Sequence, residues 1–178
     1  MGNTDSHSLR SDDSMPDSIH ILRVDWSAVL MLSKALALWA QNQNFTQIVA
    51  VAKGGLIPGV IISNLLDLPL DVIKAKRKSS EHCSLSLMQY WVTYPEYAYL
   101  LVVDDIIDEG ETMASIASML RSQEARFQTV SMLYKKHSTY KPRYYVQDVP
   151  NKSLVIFPWE DEFKEKKRLE EWNERHSK

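Results

Sequence analysis

Apolar residues recur three and four positions apart at Val29, Leu32, Leu36 and Trp39, in a segment that opens behind Asp25 and closes near Asn42. That spacing places them on one stripe of an α-helix, and Asp25 is a natural N-cap for it. The stripe reads as core. Residues 47–51 form a short apolar run expected as a strand, followed by the loop AKGG, an apolar helix over about 57–66 and a second short strand near 71–75. Residues 76–96 hold no steady period and read as a loop or irregular hairpin, the candidate for a lid. Residues 99–103 are apolar at nearly every position, as in a strand buried on both faces, and the run ends abruptly in the acidic stretch DDIIDEGET. A helix over about 112–122, a strand near 129–133 and shorter strands at 144–147 and 154–157 follow, and from Asp161 the chain is charged with helix-type pairs such as Glu162 with Lys166. Residues 1–18 are rich in Ser and Asp and poor in apolar side chains, so they are expected as a disordered leader, with 19–178 as a single domain.

Strands that alternate with helices imply an α/β fold, a mostly parallel twisted sheet with helices on both faces. Ligands of such sheets bind outside the carboxyl ends of the strands. Both unusual loops, AKGG and DDIIDEGET, fall at that end.

The acidic loop carries the chemistry. An apolar strand delivers two adjacent carboxylates, Asp104 and Asp105, to the sheet edge. Neighbouring carboxylates repel unless a cation, hydroxyl donors or full solvation relieves them. Ribose hydroxyls with a hard divalent metal would do so. Gly110 permits a tight turn, and the amides from about Gly110 to Met113 open a helix, which with the Thr112 hydroxyl makes a phosphate cradle. An isolated acidic turn would read instead as Asp108 capping a helix among solvated acids. Here the acids follow a buried strand and the glycine and threonine sit where a phosphate needs them, which favours a site.

The segment VVDDIIDEGETM resembles the signature of the type I phosphoribosyltransferases. The segment IVAVAKGGLIPGVIIS is similar to their pyrophosphate loop and its helix. The strand ending in Lys135, then YVQDVP and LVIFPWE, is similar to the xanthine-guanine and hypoxanthine (6-oxopurine) group. The resemblance implies the type I fold with a small hood and a mobile lid, and transfer of phosphoribose from phosphoribosyl pyrophosphate to guanine, xanthine or hypoxanthine, with magnesium as cofactor. It places Asp104 and Asp105 on the ribose hydroxyls and the metal, and Asp108 at the base as the proton-transfer group. It assigns the 5-phosphate to Glu109, Gly110, Glu111 and Thr112. Lys53 and Gly54 take the pyrophosphate, with a cis or otherwise strained Lys53–Gly54 bond. Lys135, Leu154 and Val155 meet the base. The chain departs from the usual pattern at four of these places. Glu109 replaces a hydroxyl residue, Glu111 adds a second acid, Lys53 stands where arginine is common and keeps the charge without the fork, and Leu154 gives up an aromatic stack. The departures motivate an alternative, a non-catalytic regulatory module of the same fold that binds nucleotide or RNA.

Composition narrows the rest. The chain has 178 residues, of which 44% are hydrophobic and 25% charged, ordinary for one globular domain. A net charge of -2 argues against a surface devoted to nucleic acid. Cys83 is the only cysteine, so no internal disulfide forms and a reduced cytoplasmic thiol is expected. No apolar run spans a bilayer, and no secretory signal opens the chain. MGNTDS fits the short myristoylation pattern and carries no further weight. Lys74, Lys76, Arg77 and Lys78 form a basic cluster, read as a solvated flank, as phosphate attraction at the site mouth or, with a smaller share, as an RNA contact. The five histidines show no metal-ligand spacing. Trp91, Tyr94, Tyr97 and Tyr99 read as exposed and carry no assignment, an oligomer interface being one option for them, and a homo-oligomer, dimer or tetramer, is expected.

Overall fold

The computed structural model describes residues 10–11, 20–74, 95–160 and 166–171. In chain order the elements are β1 (Arg10–Ser11), β2 (His20–Arg23), α1 (Trp26–Ala40), β3 (Gln47–Ala52), α2 (Leu56–Leu66), β4 (Leu70–Lys74), β5 (Tyr99–Ile107), α3 (Glu111–Ser122), β6 (Arg126–Lys135), β7 (Tyr144–Val149) and β8 (Ser153–Ile156). They fall into two compact units, residues 30–149 and a smaller unit of residues 1–29 with 150–178.

The larger unit is built on a five-stranded sheet in the order β4-β3-β5-β6-β7. Every neighbouring pair in it is parallel. Side chains alternate across a strand. Ala50 abuts Gly59 of α2 on one face, while Val49 and Val51 cluster with Met113, Ile116 and Leu120 of α3. Helices therefore cover both faces, which is why the central strand carries no polar residue from Leu100 to Val103, all fully buried.

α1 starts where the expected cap puts it. The Ala28 N–H donates to Asp25 Oδ1 at 2.7 Å, and Val29, Leu32 and Leu36 of the apolar stripe are buried. Trp39 is only partly buried and stacks on Tyr144, ring centroids 4.9 Å apart.

The structure corrects the end of β5. The strand does not stop at the acids but runs through them to Ile107. The ladder to β6 continues past the apolar run, with Asp104 opposite Ser131, Ile106 opposite Leu133 and Ile107 opposite Tyr134. β6 is longer than its apolar middle for the same reason, and ends in Lys135.

In the smaller unit β2 pairs antiparallel with β1 and parallel with β8. Trp159 packs between Trp26 and Phe157, at 6.0 and 4.6 Å between ring centroids. Residues 166–171 are helical, and Arg168 grips both carboxylate oxygens of Glu160 at 2.6 and 2.7 Å. The candidate lid at 76–96 lies almost wholly outside the described residues, as do most of residues 1–18.

Candidate active site

β5 carries Asp104 and Asp105 as the last turns of the sheet open toward the loops, and the two acids meet different surroundings. Asp104 is 8% exposed. Its carboxylate accepts the Asp105 N–H at 3.0 Å and a further hydrogen bond from the Gly55 backbone. Burial first, and the charge of Asp105 second, push the Asp104 carboxyl well above the ordinary carboxylate range. Asp105 is half-buried and accepts the Ile106 N–H at 2.7 Å. Its carboxylate lies so close to Gly54 that a Cβ there would overlap it. Glycine at 54 is thus what lets the AKGG loop reach the acid pair, and Lys53 beside it is exposed.

One peptide of that loop is cis, and it is Ala52–Lys53. The Lys53–Gly54 bond expected from the sequence is not the cis one. The residue pattern locates the turn, but several peptides could carry the reversal, and only the backbone path distinguishes them.

The third acid is joined to the lysine. Lys135 Nζ lies 2.8 Å from Asp108 Oδ1, with the lysine side chain 5% exposed and the aspartate 43%. The ladder explains the meeting, because β5 and β6 are parallel neighbours and both end here. His137 Nε2 stands 3.5 Å from Asp108 Oδ1 and 3.5 Å from Glu109 Oε1. Asp108, Glu109 and His137 thereby form a group of potential metal-ligating atoms within 4.8 Å of one another. Lys135 already holds the Asp108 oxygen that faces this group, which disfavours a cation there.

Asp108 is not the cap of α3. The N-cap is Gly110, at φ 88°, and no side chain caps the helix. The first N–H groups of an uncapped helix lack intrahelical partners and attract anions. A side chain at 110 would need an unfavourable left-handed backbone, and its Cβ would run into Ser138 and the Tyr140 amide. The segment after β6 also pins Glu109, whose carbonyl accepts the Thr139 N–H at 3.0 Å and the Thr139 hydroxyl at 2.8 Å. Glu111 and Thr112 occupy the first turn, the glutamate exposed and the threonine half-buried.

The larger unit thus brings together Gly54, Asp104, Asp105, Asp108, Glu109, Gly110 and Lys135. Leu154 and Val155 belong to β8 of the smaller unit, buried and paired in register with Ile21 and Leu22. The sequence reading missed His137, Ser138 and Thr139. Their only signal was a polar cluster behind Lys135, and nothing in a spacing of 28 residues ties His137 to Glu109.

Known proteins share the sequence pattern and the fold. Residues 24–166 match the phosphoribosyl transferase domain family. The xanthine-guanine phosphoribosyltransferase of Chromohalobacter salexigens is 31% identical over 138 residues, 77% of this chain and 82% of the relative. The enzyme of the same name from Gluconobacter oxydans is 28% identical over 154 residues, 82% of this chain and 88% of the relative. Among solved structures, the purine phosphoribosyltransferase of Pyrococcus horikoshii superposes with a TM-score of 0.70 at 27% identity, covering 79% of this chain and 95% of that one. The Helicobacter pylori xanthine-guanine-hypoxanthine phosphoribosyltransferase shares the fold, with a TM-score of 0.70 at 22% identity over 85% of this chain and 99% of that one.

Proposed function

Because this chain belongs to the phosphoribosyl transferase family, we propose that it is a purine phosphoribosyltransferase, which moves the phosphoribosyl group of phosphoribosyl pyrophosphate to guanine, xanthine or hypoxanthine and releases pyrophosphate. The observation that carries the choice of a 6-oxopurine is the buried Lys135 held 2.8 Å from Asp108. A 6-oxopurine offers a carbonyl acceptor and a ring N–H on adjacent edges. A lysine donor beside a carboxylate acceptor matches both.

In this reading the anomeric carbon loses its bond to pyrophosphate and gains one to a ring nitrogen, and the base gives up a proton. Asp108 accepts or shares that proton. Lys135 donates to the 6-oxo group, and Leu154 and Val155 line the base. The 5-phosphate rests on the open amides of α3 and on Thr112. Glu109, whose side chain is 55% exposed and lies 3.5 Å from His137, Gly110 and the exposed Glu111 complete the 5-phosphate loop. Lys53 and Gly54 take the pyrophosphate. Asp104 and Asp105 hold the ribose hydroxyls. Magnesium suits the same pair, since two hard carboxylates, one driven up by burial and by its neighbour's charge, gain from a nearby cation. When bound, the ion offsets the charge of the leaving pyrophosphate. The protein's larger share is positioning and the stabilisation of developing charge.

Residues 19–178 are proposed as one functional domain that acts in the cytoplasm. No helix among the described residues is long and apolar enough to cross a membrane. Exposed Met31 and Leu38 on α1 support assembly into a homo-oligomer.

The test is a panel of guanine, xanthine and hypoxanthine with phosphoribosyl pyrophosphate and magnesium, reading pyrophosphate release. Release that depends on at least one base is expected. No release with any of them, from folded protein that still binds nucleotide or RNA, would favour the regulatory alternative.

A further inference from the structure

Four cations gather around the start of β6. Arg121 in the last turn of α3, Arg126 at the first position of β6, and Lys141 and Arg143 before β7 line one cleft of about 480 Å³. Phe127 and Tyr140 give it aromatic faces, and no carboxylate lines it. Arg126 and Lys135 stand at opposite ends of β6, which separates these two side chains' backbone positions by about 30 Å at the ordinary rise of a strand.

The four cations have no carboxylate partner among the described residues. Arg121 lies over the Phe127 ring at 5.8 Å and Arg126 over the Tyr99 ring at 4.1 Å. Arginine stacked on an aromatic face keeps its outward N–H groups for another acceptor. Gln128, also on the cleft wall, uses one end of its amide on the Tyr99 hydroxyl at 2.5 Å. The other end is buried without a hydrogen-bond partner. The two ends of an amide are interchangeable, so one amide group of the cleft wall is incompletely hydrogen-bonded. A face of scattered surface charge would not gather four cations without carboxylate partners round one open concavity.

We propose that this cleft is a second binding site, for a nucleoside di- or triphosphate, separate from the transfer site. The phosphates sit among Arg121, Lys141 and Arg143, and the base lies against Phe127 or Tyr140. The volume is that of a small-ligand pocket. Four cations outnumber what a single phosphate requires, and arginine forks suit phosphate oxygens. Tyr140 joins this cleft to the phosphate loop, with its hydroxyl 3.1 Å from Thr129 and its backbone amide beside Gly110. A ligand here touches the segment that holds Gly110.

The proposal does not depend on the transfer reaction. ATP is titrated into the full chain by calorimetry and compared with the Lys141→Glu/Arg143→Glu variant, both residues being exposed. A fall in affinity of roughly tenfold or more is expected, the loss of one or two charge-assisted hydrogen bonds. Photolabelling with 8-azido-ATP is expected to mark peptides within residues 126–143. An unchanged ATP affinity in the variant would overturn the proposal, as would label confined to residues 104–112. A 12-nucleotide RNA that binds tighter than ATP and is lost in the same variant would overturn the small-ligand assignment.

Discussion

Asp104 and Asp105 are adjacent in sequence and unlike in chemistry, because alternation along β5 gives them different surroundings. Burial and the Asp105 charge raise the Asp104 carboxyl in the fold. A raised value means that the folded, metal-free chain holds this proton more tightly than the unfolded chain does. The associated stability is fully present below the ordinary value of 3.8 and is lost as pH rises through the raised folded value. Asp104→Asn should therefore melt higher than the parent at neutral pH without metal, and the gap should close as pH falls toward 3.8. A gap independent of pH would show that the side chain is ionised in both states. For Asp108→Asn we expect turnover to fall by about 10²–10⁴, the usual worth of general acid–base help, with little change in the affinity for phosphoribosyl pyrophosphate. Asp105→Asn should instead weaken that affinity, since its partners are present before the reaction. Equal losses in both parameters for both variants would mean that the acids act as one electrostatic unit. The candidate acids and Gly110 were legible from residue type and order, whereas Lys135 and Gly54 were picked out only through the family resemblance. The unequal burial of Asp104 and Asp105 was not, nor was the approach of His137, because both arise from contacts that the strand ladder makes across distant parts of the chain.

The site is assembled by where elements end. β5 and β6 finish side by side, so Asp108 and Lys135 meet without a long loop, and α3 starts at once from a glycine in the left-handed region. Gly110→Ala should lower unfolding free energy in urea by about 1–2 kcal/mol for the backbone conformation alone, and further for the displaced Ser138 and Tyr140. A cost near zero would mean that the turn relaxes freely. The fully buried Leu101 in β5 tests the scaffold itself, since Leu101→Ala should cost about 2–5 kcal/mol. The helices were legible because their stripes and the Asp25 cap are local signals. The extent of β5 was not, because polar residues at 104 and 105 break the apolar run while the backbone ladder continues. β2 escaped notice too, being only four residues, HILR, without a run or an alternation to mark it.

At the scale of the molecule, periodicity announced a parallel sheet covered on both faces, and the loops carried the family signature. The strand order and the pairing of β2 with β8, elements from opposite ends of the chain, could not be read from spacing. The most direct measurement offers the folded chain phosphoribosyl pyrophosphate, magnesium and an equimolar mixture of guanine, xanthine and hypoxanthine, and counts nucleotides and pyrophosphate by mass spectrometry and enzymatic assay. The expected result is one purine nucleotide formed for each pyrophosphate released, with one base preferred. Pyrophosphate without nucleotide, or neither product from folded protein, would contradict a purine transfer site at Asp104, Asp105, Asp108 and Lys135.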